Sequence, residues 1–430
     1  MSLRYEAIVV GAGPAGITAA YELARRGRDV LLLERGPYPG SKNVMGGILY
    51  TYPLREIIPG FWEKAPLERP ILEQRYMLLD DDGHLAFAFR DPSWADPPNA
   101  FSVLRAKFDQ WYAAQAVAQG ALLINETTAT EVIVNDGRVV GVRVDRPEGE
   151  VFADVVILAD GANSLLAKQL GFHKEWHPEE VALAVMEVLS LSKDKIEARF
   201  NVGDGEGVSI EMLGEATLGL PGMAWLYTNK ESLSIGVGVT LSSLREARMK
   251  PYELLERLKS HPTVARLIEG GKPEEYLAHL IPEGGYRAIP KLAGHGVLVA
   301  GDAAQFVNAV HREGSNFAIL SGKLAAEIVD EALKLGDTSE NVLIRYRDLI
   351  MQGVIGSDLK KYADTIPLIE KNPLYLKHYS PRLHGAVREL FTVDGVPKKE
   401  KQKRMIEHLT AERGKLGAAR DVWRLGRAIW

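Results

Sequence analysis

The chain opens with short apolar runs separated by a glycine-rich turn and a helical repeat. Glu6 to Val10 and Asp29 to Leu33 are nearly continuous apolar runs, the pattern of strands buried on both faces. Between them, Gly11 to Gly16 is glycine-rich and Ile17 to Arg26 has helical spacing, which predicts a strand–helix–strand unit. Thr51 to Ala100 holds prolines 53, 59, 66, 70, 92, 97 and 98 and predicts irregular chain with short strands such as Leu85 to Phe89. Phe108 to Gln119 predicts a helix, and Ala121 to Ile124 and Val155 to Leu158 predict further strands. Thr130 to Val134 and Arg138 to Val144 flank Asn135-Asp136-Gly137, a hairpin signal. From Val181 to Val239 the pattern is mostly β, with clear alternation at Leu233 to Thr240. A helix at Pro251 to Lys259, a buried strand at Gly296 to Ala300 and a helix at Ser315 to Leu335 follow, and the chain from Ser339 onward reads as helical.

The expected architecture is mixed α/β. Residues 1–75, 101–170 and 285–338 form a discontinuous Rossmann-like dinucleotide-binding domain. Residues 76–100 and 171–284 form an interleaved β-rich domain, and 339–430 a helical C-terminal region. Composition changes this picture at few points. A chain of 430 residues with a net charge of −5 lacks the basic excess of a nucleic-acid protein. Its cysteine count is zero, which excludes disulfides, thiol catalysis and an iron–sulfur cluster held by its own cysteines. The first residues do not read as a secretory leader, and no run of 18 apolar residues predicts a spanning helix. Charge is uneven: Lys398 to Trp430 holds ten Lys/Arg against four Asp/Glu. There Leu416, Ala419, Trp423, Gly426 and Trp430 recur at helical spacing. Such a helix either packs on the body or serves as an interfacial or partner-docking surface.

Gly11-Ala12-Gly13-Pro14-Ala15-Gly16 follows a strand and opens a helix. Gly11 permits a tight turn, Gly13 a close backbone approach to a pyrophosphate, and Gly16 close helix–strand packing. The helix N-terminus offers free N–H groups to phosphates. Glu34, at the end of the second strand, can accept hydrogen bonds from an adenosine ribose. Two further elements select the flavin dinucleotide. Gly301-Asp302 follows a buried strand, and Gly314-Ser315-Asn316 begins a helix, an order that suits a ribityl chain and the polar edge of a flavin. Asp160-Gly161 follows the strand Val155 to Leu158. The three in this order predict FAD.

These motifs resemble the FAD-binding fold of p-hydroxybenzoate hydroxylase-like flavoproteins. The segments GSKNVMGGILY (Gly40 to Tyr50), FSVLRAKFDQWY (Phe101 to Tyr112), LYTNKESLSIGVGV (Leu226 to Val239), PEGGYRAIPKL (Pro282 to Leu292) and GDAAQFVNAVHREGSNFAILSG (Gly301 to Gly322) are similar to the electron-transfer flavoprotein–quinone oxidoreductases, within them the FixC (EtfC) branch. The similarity runs from about Tyr5 to about Tyr346. It implies that FAD takes electrons originating in an electron-transfer flavoprotein pair (FixAB/EtfAB-like) and passes them to membrane menaquinone or ubiquinone. Relatives with an extra domain carry a 4Fe-4S cluster. In the FixC branch a separate ferredoxin-like subunit (FixX/EtfX-like) supplies it, in keeping with the missing cysteines. The expected location is peripheral, on the cytoplasmic membrane.

By the same resemblance, Arg35 joins Gly11, Gly13, Gly16 and Glu34 at the ADP moiety. Arg105 reaches the phosphates or ribose, unless it only ties down its own helix. Val132 lies near the adenine, and Met45, Gly46 and Gly47 line the flavin ring. A quinone is expected against Gly222, Met223, Trp225 and Tyr227, where Met223 replaces the family's second glycine. The uncharged stretch Ala216 to Asn229 is either an interior hairpin or a shallow membrane contact. His311 is either a proton relay or a structural histidine. Two other functions fit the same motifs: a standalone NAD(P)H-dependent flavin monooxygenase or geranylgeranyl reductase-like enzyme, and a non-catalytic FAD-bearing assembly subunit.

Overall fold

The computed structural model describes residues 3–43, 47–372 and 374–429. Two sheets dominate it. The first, in spatial order, runs Ala293–Gly294, Val297–Val299, Glu150–Leu158, Leu3–Val10, Val30–Leu33 and Leu122–Ile124. The five strands after the first of these are parallel neighbours. Ala7–Val10, Val30–Leu33 and Val155–Leu158 are buried, as strands covered on both faces must be. The hairpin Ala129–Asn135/Arg138–Val144 joins the sheet antiparallel to Glu150–Leu158. At its turn Asp136 and Gly137 both have positive φ, which is why Asn-Asp-Gly marks it.

The register fixes where a ligand can bind. Val10 lies opposite both Leu158 and Leu33, and Leu158 lies opposite Val299. Four parallel strands therefore end in line, and the residues that follow them, Gly11, Glu34, Asp160 and Gly301, emerge along one edge. That edge is the crevice where open parallel sheets bind ligands. The helix Pro14–Ala24 is buried along its whole length, because the helix Ser315–Leu335 packs against it. Small residues allow this approach: a Cβ on Gly322 would strike the Ala15 carbonyl, and one on Gly16 the Gly11 carbonyl.

The second sheet runs Lys272–Pro282, Val181–Ser190, Ser232–Thr240, Gly222–Thr228, Gly207–Gly214, Ile71–Leu79 and His84–Arg90. The strand Ile71–Leu79 lies inside the stretch expected to be irregular, and the 75/76 boundary falls in its middle. The prolines stand outside it, at 70 and 92, so they punctuate its ends without breaking its ladder. A helix, Lys193–Phe200, interrupts the β-rich region and buries Ile196 and Phe200 one turn apart. Arg69, 1% exposed, ties the connections of the second sheet together: its guanidinium donates to the carbonyls of Asn229, Glu206 and Lys230 and to Glu197.

The C-terminal region is helical. Ser380 and His384 of the helix Leu374–Phe391 donate to the carbonyls of Leu79 and Leu78, closing the end of one strand of the second sheet. In the helix Gly414–Ile429 the buried residue is Asp421, held by Arg413 and Tyr379. Leu416 and Trp423 of the apolar stripe are exposed, at 89% and 62%. Among the described residues no helix is long and apolar enough to cross a membrane.

Candidate FAD cleft

A cleft of about 820 Å³ lies between the strand ends of the first sheet and one face of the second. Its size is in the upper part of the range for small-molecule and cofactor sites, roughly 300–1,000 Å³. Gly11, Gly13, Ala15, Glu34 and Arg35 line it from the first strand–helix–strand unit. Asp160, Gly161, Gly301, Asp302, Gly314 and Ser315 line it from the later strand ends, and Gly47 and Arg105 from between them. The second sheet contributes Met223, Trp225 and Tyr227, so the expected phosphate, flavin and quinone residues share one cavity.

The local geometry suits a dinucleotide. The helices Pro14–Ala24 and Ser315–Leu335 both start at a glycine, and neither has a side-chain cap or an acidic residue in its first turn. Their free N–H groups and positive dipole ends are left for anions and for the electron-rich edge of a ring. Open space surrounds the Cβ positions of Gly13, Gly47 and Gly161. Asp160 Oδ1, on a residue of the cleft wall, is buried without a hydrogen-bond partner, as expected where a polar cofactor completes it. Glu34 accepts from the Ala12 N–H at 3.0 Å and the Gly36 N–H at 2.6 Å, which fixes its carboxylate at the cleft wall. Burial raises the carboxyls of Asp160 and Asp302 above the usual range, opposed at Asp302 by the charge of Arg105.

Other expected residues stand differently. Arg105 lines the cleft and also grips buried Asp109 with two hydrogen bonds of 2.8 and 2.7 Å. Gly16 is buried behind the turn. Val132 is in the hairpin, and its N–H donates to Gln169, whose side chain lines the cleft in its place. Asn316 is turned to Glu313. Gly222 begins its strand outside the lining. His311 is exposed and shares a 2.7 Å hydrogen bond with the Tyr362 hydroxyl, away from the cleft lining. Met45 and Gly46 lie outside the described residues.

The structure adds residues not expected at the site: Thr127 to Thr130 and Lys168 near the hairpin, His279 on the second sheet, and Glu283 and Arg312, which lie within the family-like segments without an expected role there. It also explains a glycine pair. The Trp225 indole lies over Gly236 and Gly238 of the neighbouring strand, where a Cβ on Gly236 would strike the ring. The indole N–H donates to the Met186 sulfur at 3.2 Å, and the ring stacks with Tyr227 at 17°.

Glu283 makes a pH prediction. Burial, and then the nearby Glu370 carboxylate, push its carboxyl up to about 8. An unfolded glutamate ionises near pH ~4.3, so between there and about pH 8 the folded chain holds a proton that the unfolded chain has lost. Stability contributed by this group falls as pH rises through that window. Thermal melts of Glu283→Gln should match the wild type near pH ~5 and fall less steeply towards pH ~9. Parallel slopes would contradict the assignment.

Comparison with known proteins decides the family. Residues 6–170 match the FAD dependent oxidoreductase family and residues 366–430 the ETF-QO/FixC family C-terminal domain. Protein FixC of Bradyrhizobium diazoefficiens is 44% identical over 429 residues, covering 99% of both chains. Protein FixC of Escherichia coli K12 is 40% identical over 408 residues, covering 94% of each. The chain belongs to the ETF-QO/FixC family. As a FixC-family protein it is an FAD-dependent oxidoreductase of electron transfer. Solved structures agree on the fold. A geranylgeranyl bacteriochlorophyll reductase-like protein from Thermoplasma acidophilum superimposes with a TM-score of 0.73 at 20% identity, covering 99% of this chain and 100% of its own. The flavin-dependent brominase Bmp2 gives 0.67 at 16% identity, covering 99% of each.

Proposed function

We propose that this FixC-family chain conveys electrons from an electron-transfer flavoprotein pair, by way of a separate ferredoxin-like 4Fe-4S subunit, to a membrane quinone. The observation that carries this reading is the apolar wall of Met223, Trp225 and Tyr227, which the second sheet sets into the same cleft as the FAD-binding strand ends. FAD supplies the redox chemistry when bound, exchanging electrons singly with one partner and in pairs with another. The chain's own residues do the rest. Gly13 and the two uncapped helix N-termini hold the phosphates and the polar ring edge, while Glu34 and Asp302 hold sugar hydroxyls. Trp225 and Tyr227 give a quinone ring a flat surface and keep water from it. Burial pushes the Tyr227 phenol up, so it stays protonated and able to donate.

The lack of cysteine means that a cluster with cysteine ligands must come from another chain. Phe87 and Phe89 on the edge strand His84–Arg90, 66% and 48% exposed, and Leu416 and Trp423 at the C-terminus support a peripheral position on the cytoplasmic membrane. Under anaerobic conditions NADH and NADPH should leave the flavin spectrum of the purified protein unchanged over minutes. Rapid bleaching by either would favour a standalone reductase or monooxygenase and overturn this reading.

A further inference from the structure

Arg312 lies where the FAD-binding loop meets the second sheet. It follows the turn Gly301–Ala304, precedes the helix Ser315–Leu335, and lines the cleft with Met223, Trp225 and Tyr227. Its backbone is left-handed, with φ 59°, a conformation that side-chain-bearing residues keep only where their surroundings demand it. One arm of the guanidinium pairs with Glu211, a second donates to the Tyr76 hydroxyl at 3.1 Å, and the group lies 5.6 Å over the Tyr76 ring. Glu211 is 0% exposed, and its Oε1 also accepts from Ser209 at 2.5 Å. Two atoms are left over. Arg312 Nε and Glu211 Oε2 are both buried without a partner.

An ion pair serving stability alone closes best as a two-bond fork, as Arg105 does with Asp109 in the same cleft. The Arg312–Glu211 pair leaves the Arg312 Nε–H unused, and a buried donor is costly unless an acceptor completes it. We propose that Arg312 binds a carbonyl oxygen of the quinone acceptor, with Glu211 and Tyr76 as positioning residues that hold its guanidinium. This rests on the quinone reading above and names the polar contact that the apolar wall lacks. In the step served, the quinone takes up two electrons, supplied through FAD by the reduced protein donor, and two protons from water. Both C=O π bonds are lost, an O–H bond forms at each oxygen, and the donor is oxidised by two electrons. Negative charge grows on the oxygens as electrons arrive, and a fixed cation held against one of them stabilises that charge. Arginine suits the role because it stays charged and its donors are held in a rigid plane.

The test compares wild type, Arg312→Lys, which keeps a cation beside Glu211 without the Nε–H, and the double variant Arg312→Gln/Glu211→Gln, which strands neither charge. Each FAD-loaded protein is reduced anaerobically and reoxidised by menadione or by ferricenium, an acceptor without a carbonyl. Menadione binding to the oxidised proteins is measured in parallel by calorimetry. Both variants should lower the menadione-to-ferricenium rate ratio, and weaken menadione binding, by at least about tenfold, the scale of one charge-assisted hydrogen bond. An unchanged ratio, or unchanged binding, would overturn the proposal. Wild-type protein that ferricenium reoxidises and menadione does not would defeat the quinone reading itself, and this proposal with it.

Discussion

Gly13→Val should give a folded protein that no longer retains FAD. In the chain itself nothing lies within 4 Å of a Cβ at Gly13, and its backbone (φ −85°, ψ 179°) is extended, a conformation any residue adopts. Folding therefore has no reason to demand glycine there. Gly13 is nevertheless the N-cap of the buried helix and part of the cleft wall, where the free N–H groups stand open to a dinucleotide's phosphates. The valine methyls would occupy that approach. FAD affinity should fall by at least about a hundredfold, because the phosphates lose several backbone hydrogen bonds together. Visible absorbance after gel filtration reads the FAD content and circular dichroism the fold. Full FAD content in a folded variant would show that the phosphates lie elsewhere. Gly16→Ala is the contrasting case: its Cβ would strike the Gly11 carbonyl, so the damage there falls on the fold.

The second large effect is expected at Gly236, far from the phosphates. A valine there would meet the Trp225 indole at Cζ2, Cε2 and Nε1 and push the ring off the strand that supports it. The strand itself should tolerate the change, since β-branched residues favour sheets. Gly236→Val should therefore keep its FAD while the half-saturating concentration of a quinone analogue rises about tenfold or more, the scale of a lost aromatic contact and its buried area. Gly238→Ala should do much less, because its Cβ would sit at an ordinary 3.5 Å from the ring and from Ala184. Loss of FAD from Gly236→Val, or unchanged quinone kinetics, would remove Trp225 from the acceptor site.

The part of the cleft built by the chain's local rules was legible in the sequence. Gly11, Gly13, Glu34, Asp160 and Gly301 each follow a buried strand, and parallel pairing then aligns them along one edge. The long helix Ser315–Leu335 and the Asp136-Gly137 turn follow from spacing and positive-φ residues in the same way. Long-range pairing was not legible. The strand Ile71–Leu79 hid among prolines: one neighbour, His84–Arg90, is local, but the other, Gly207–Gly214, which sets it inside the sheet, lies more than a hundred residues away. The pairing of Arg312 with Glu211 and Gln169 standing in for Val132 each join separated segments through side chains, and the seat of Trp225 on Gly236 depends on the register of a hairpin. No periodicity carries such contacts. The Leu416 and Trp423 stripe was visible as a pattern, but only the fold shows that the helix buries Asp421 and leaves those two residues outward.

The most direct measurement is anaerobic reoxidation. The FAD-loaded protein is photoreduced without oxygen and mixed with a short-chain menaquinone analogue while the flavin absorbance is followed. The expected result is a saturable return of the oxidised spectrum within seconds and a stoichiometric yield of the reduced quinone. A flavin that stays reduced in the presence of excess quinone, yet recovers with ferricenium, would contradict it.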